Sequence, residues 1–102
     1  MERSFSPMIR QFSEIDGLQP AYTLVYSLDP EGPRGCRLTV CRTGSRQQMD
    51  SRHLAAAPET GYGIMRYLWE NSVQPEIWQD VVQELMDTIS MDEKGGGARG
   101  EQ

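Results

Sequence analysis

Residues 61–86 space their apolar side chains at helical intervals in two blocks, interrupted at Asn71–Gln74 and restarted at Pro75. Two short amphipathic helices sharing one turn cannot bury their apolar faces alone, so the rest of the chain must supply a second layer. In the first block, Ile64, Leu68, Gly61, Met65, Trp69 and Tyr62 share an arc of about 160°. In the second, Ile77, Val81, Leu85, Trp78, Ile89, Val82 and Met86 span about 180°, while Glu76, Gln79, Asp80, Gln83, Glu84 and Asp87 take the other side. Pro58 suits a first helical position, where a missing N–H costs nothing, and Glu59 favours the positive helix start.

The second layer reads as strands. Tyr22, Leu24, Tyr26 and Leu28 alternate with Ala21, Thr23, Val25 and Ser27; Cys36, Leu38 and Val40 alternate with Arg37, Thr39 and Cys41. Asp29–Gly35 and Thr43–Arg46 carry turn residues, Gln47–Met49 is expected to be a short closing strand, and Ser51–Ala57 a connector. Phe5, Met8, Ile9 and Phe12 also fit a helix, but Arg10–Ile15 running into Asp16-Gly17 favours a strand and turn. The expected fold is α+β: an antiparallel β-meander of three or four strands followed by two amphipathic helices packed on one face of the sheet. Residues 1–7 are expected to fray, 8–90 to form a single domain, and 91–102, rich in Gly and charge, to be disordered.

Charge is unevenly placed along a chain of net charge −5. Residues 34–53 hold Arg34, Arg37, Arg42, Arg46 and Arg52 against Asp50; residues 59–93 hold eight acids against Arg66. The acidic whole argues against general nucleic-acid binding, yet leaves a local basic surface open. Arg37 and Arg42 are the candidate anion-binding residues, suited by guanidinium geometry to RNA or a phosphoanion. Pairing of these arginines with the acidic helices is the structural alternative. No apolar run reaches the ~20 residues of a membrane span, and the start lacks a signal-peptide layout, so a cytoplasmic location without membrane contact is expected.

Chemically reactive constellations are sparse. Cys36 and Cys41, five apart, fall on opposite faces of one strand and read as free thiols. His53 is the single histidine, expected in a polar connector; a small enzyme using it would need an acid or thiol in a shared pocket. Gly61-Tyr62-Gly63 begins like a dinucleotide fingerprint, but Arg66 replaces its third glycine and no strand leads into it; close helix–sheet packing explains Gly61 equally. Glu76, Asp80, Glu84 and Asp87 lie opposite the apolar arc, as a solvated face does. No catalytic residue, cofactor or metal is expected.

The second helix has more apolar arc than the ~100° that one neighbour requires. The surplus, placed at Trp78, Val82 and Met86, is the candidate interface for a protein partner or self-association. The expected function is accordingly a non-enzymatic interaction or regulatory module. Leu68, Asn71, Val73 and Pro75, then Trp78, Asp80, Val81 and Val82, resemble a family of small uncharacterised proteins of clostridial and related bacteria. That resemblance implies the same fold and a bacterial origin, and carries no activity or site residue.

Overall fold

A computed structural model describes residues 5–44 and 47–99, with side chains as far as Ile89 in the last helix. Four strands come first: β1 (Met8–Phe12), β2 (Tyr22–Pro30), β3 (Cys36–Gly44) and β4 (Gln48–Leu54). They form one antiparallel sheet in the order β1-β2-β3-β4, a meander in which each strand pairs with its sequence neighbour. Helices α1 (Pro58–Glu70) and α2 (Trp78–Arg99) follow, and the architecture is the α+β meander-plus-two-helices arrangement expected from the sequence. No helix among the described residues is long and apolar enough to cross a membrane.

Register sorts every strand residue onto one of two faces. Met8 pairs with Tyr26, Leu24 with Arg42, Tyr26 with Val40, Leu28 with Leu38 and Cys36 with Leu54. Registered partners point the same way, so these residues make the inner face. Leu24, Tyr26, Leu28, Cys36, Leu38, Val40 and Leu54 are buried there beneath Ile64, Met65, Leu68, Val73, Trp78 and Val82. Gly61 lets α1 approach closely: a Cβ there would overlap Cys36 Sγ and come within 3.1 Å of Leu28 Cδ1. The glycine pair of the sequence is thus half a packing device, and Gly63, with open space around it, is no part of it.

α1 ends in a Schellman motif. Val73 N–H donates to Leu68 O at 3.0 Å and Ser72 N–H to Trp69 O at 3.2 Å, with Ser72 in the left-handed region at φ 50°. The buried Val73 then closes the apolar contact of the motif, and its carbonyl accepts from Tyr26 Oη at 2.9 Å. That bond ties the interhelical turn to the centre of the sheet. Burial of the ring pushes the Tyr26 phenol up to about 12, so it remains a donor at any ordinary pH.

Four expectations change. β4 extends through Leu54, so His53 belongs to a strand and not to a connector. Apolar alternation fails in β4 because its inner residues are held by polar partners: Gln48 accepts from Arg42 of β3, while Asp50 and Arg52 bond Trp78, Gln79 and Gln83 of α2. Of residues 1–7, the first four lie outside the described residues, while Phe5 stacks on Tyr62 of α1 at 5.2 Å between ring centroids. The expected disorder of 91–102 gives way to helical backbone as far as Arg99. The Thr43–Arg46 turn lies partly outside the described residues, at 45 and 46.

The fourth concerns α2. Trp78 and Val82, expected at a free edge, are wholly buried in the core, and Met86 packs partly against it. The arc faces inward along the line through Trp78 and Val82, so its surplus lies on the opposite edge, where Ile77 is 52% exposed. A helical wheel gives the width of an arc and not its direction.

Candidate functional site

The arginine-rich segment is used largely inside the molecule. Arg42 lies on the inner face, with its side chain 13% exposed, and donates to Glu76 Oε2 at 2.6 Å, Gln74 Oε1 at 3.1 Å and Gln48 Oε1 at 3.0 Å. Arg52, two inner positions beyond Asp50's neighbour Gln48, donates to Gln79 O at 3.3 Å and Gln83 Oε1 at 2.5 Å. Between them Asp50 accepts from Trp78 Nε1 at 3.2 Å and Gln79 Nε2 at 2.8 Å. A row of polar side chains on β3 and β4 thus fastens the first turns of α2.

Arg37 is on the outer face and donates from Nε to Glu31 Oε2 at 3.0 Å. Arg37 and Arg42 therefore stand on opposite sides of the sheet, some 17 Å apart along β3 at ~3.4 Å per residue, each beside a carboxylate. The structure does not bring the two candidate anion-binding residues together.

His53 has an acid beside it, since its Nδ1 and Glu31 Oε1 are 2.6 Å apart. The bond to His53, then the bond to Arg37, holds the Glu31 carboxyl below its ordinary range. The pair lies at the surface: the imidazole side chain is 50% exposed and that of Glu31 37%, and Glu31 is the bonded partner of His53 among the described residues. Cys36 sits on the inner face, where burial and then the charge of Glu31 raise the thiol's pKa and keep it protonated. Among the described residues no three His, Cys, Asp or Glu side chains converge as metal ligands would.

At the opposite edge, β1 is clamped to α1. Trp69 Nε1 donates to Ile9 O at 2.9 Å, and Arg10 Nε donates to Trp69 O at 2.9 Å while its guanidinium lies 4.8 Å from the Trp69 ring centroid. Arg10 thereby caps the negative end of α1. Sequence reasoning gave Arg10 no role, because nothing in a strand pattern reports the helix end above it.

Among the described residues no element lies over the outer face. Register sets its residues in rows across the strands. Gln11, Thr23 and Thr43 form one row, Ile9, Val25, Cys41 and Met49 the next, and Ser27, Thr39 and Ser51 the third. Asp29, Arg37 and His53 close the face as a charged fourth row. The second row is an apolar stripe across all four strands, with Ile9 54% and Met49 73% exposed. A solvated surface is about 25–35% charged, so ten such positions should hold about three charges; the first three rows hold none. The strand alternation contains this signal, but only the register assembles residues 9, 25, 41 and 49 into one stripe. Shallow hollows of about 380 Å³ beside Phe12 and Tyr22 and about 300 Å³ at the Ile15–Pro20 loop bring no convergent charged groups.

No protein-family model, curated protein or solved structure matches the chain.

Proposed function

We propose that this protein is a non-enzymatic protein-interaction module that binds through the open face of its sheet. One observation carries the reading: an uncharged surface, three rows deep, with an exposed apolar stripe from Ile9 to Met49. Surfaces that must stay free in water keep charges interspersed, and contiguous apolar area rimmed by polar groups marks contact sites. The interface expected at Trp78, Val82 and Met86 moves to this face, because the first two fill the core. Anion binding by Arg37 and Arg42 is disfavoured by their separation and by the carboxylates beside them.

A photo-crosslinking side chain at Thr39, the centre of the face, should give discrete adducts when the protein is irradiated in cells producing it. The same group at Glu84, on the solvated side of α2, should give none. Absence of adducts from position 39, or equal adducts from both positions, would count against the reading.

A further inference from the structure

We infer that the open face receives the open face of a second copy, about a twofold axis parallel to the strands that sets β2 of one protomer over β3 of its partner. This rests on the interaction-module reading and names its occupant. Two sheets packed face to face lie about 10 Å apart with strands nearly aligned. A closed pair needs a self-complementary surface. The proposed axis lays each row on its own counterpart in reversed strand order. Val25 then meets Cys41 of the second copy, and Ile9 meets Met49, so the apolar stripe covers itself.

Charge selects this axis. Asp29 and Arg37 are registered neighbours on the two central strands. Reversal of strand order sets Asp29 against Arg37 of the second copy, and Arg37 against Asp29. Arg37 is free to make that bond: among the described residues its Nε is engaged with Glu31, and its two Nη groups are not. The other in-plane twofold, perpendicular to the strands, lays the charged row on Gln11, Thr23 and Thr43 and leaves desolvated charges unpaired. Small residues at Thr23, Thr43, Ser27, Thr39 and Ser51 permit close approach, as larger ones would not.

Area sets the strength. Four strands at ~4.8 Å and four rows at ~6.8 Å give a footprint of roughly 20 by 25 Å, or about 1,000 Å² for both copies. That falls at the low end of specific interfaces, so the dimer forms and dissociates with concentration.

Sedimentation of the full chain over a concentration series tests this with a charge swap. The wild type is expected to dimerise reversibly. Asp29→Arg alone and Arg37→Asp alone each place like charges together and should weaken the dimer at least tenfold. An equimolar mixture of the two variants restores both opposite-charge contacts and should recover association. Val25→Lys, pointing outward from the core, serves as the second disrupting variant if either charge variant fails to melt cooperatively. A dimer indifferent to all these substitutions overturns the inference. So does a monomer at every concentration whose Thr39 crosslink carries a different protein, which leaves the interaction-module reading standing. A monomer with no crosslink from Thr39 removes both.

Discussion

Two glycines two residues apart in α1 have opposite consequences. At Gly61 a methyl group would overlap Cys36 Sγ and crowd Leu28, so Gly61→Ala must push α1 off the sheet. Overpacking of this kind costs about 1–3 kcal/mol, and thermal unfolding should register the loss. At Gly63 nothing lies within 4 Å, and Gly63→Ala should stabilise by about 0.5–1 kcal/mol through helix propensity alone. Equal signs for the two would contradict the close approach inferred at Gly61. The left-handed Ser72, by contrast, asks for glycine: Ser72→Gly relieves the Cβ at φ 50° and should raise the melting temperature. Acid provides a further measurement. Glu31 has a folded pKa lowered from 4.5 by His53 and then Arg37. Its contribution is therefore complete above pH 4.5 and disappears as pH falls through the lower folded value. Glu31→Gln should melt earlier than wild type near neutrality, with the gap closing at acid pH; a gap independent of pH would remove Glu31 from the acid response.

At the scale of elements, β2, β3 and both helices were legible because each repeats its apolar residues cleanly at its own period. Tyr22–Leu28 and Cys36–Val40 put one apolar residue in two toward the helices, and α1 begins at Pro58 and turns at Asn71 as its caps require. β4 was half missed for a physical reason. An edge strand under the polar first turns of α2 satisfies its inner face with Asp50 and Arg52, and hydrophobic periodicity cannot register a hydrogen-bonded lining. The candidate interface failed similarly: the sequence yields the width of the α2 arc, while its direction depends on Asp50 receiving the Trp78 indole. Docking of α2 should therefore respond to polar substitution on β4. Asp50→Ala leaves the buried Trp78 N–H without its acceptor and should cost about 1–3 kcal/mol, with the Trp78 emission altered in the native state. Asp50→Asn keeps an acceptor and should recover most of that loss; if both behave alike, the bond does not hold α2.

For the whole molecule, the two sheet faces divide the labour of stability and contact. The inner face fills the core with Leu24, Tyr26, Leu38 and Val40, each without solvent exposure. Among the described residues nothing covers the outer face, so its composition is set by water or by a partner. Stability should consequently be insensitive to outer-face chemistry that association cannot tolerate. Thr39 and Ser51 are registered partners on that face. Thr39→Lys with Ser51→Glu installs an opposite-charge cross-strand pair, which is neutral to favourable by a few tenths of a kcal/mol within one sheet. The double variant should melt within a few degrees of wild type while abolishing the concentration-dependent dimer, since the proposed axis sets position 39 against the uncharged Ser27 of the second copy and the ions would be desolvated at the contact. Leu38→Ala, which opens a cavity between β3 and the helices, should cost about 2–5 kcal/mol. At 4–8 °C per kcal/mol for a domain of this size, the melting point should fall by roughly 10 °C or more. Melting and sedimentation of the two variants decide the matter together. If the outer-face pair lowers the melting point as much as the cavity does, the face contributes to the fold itself, and its lack of charge then reflects packing rather than a binding partner.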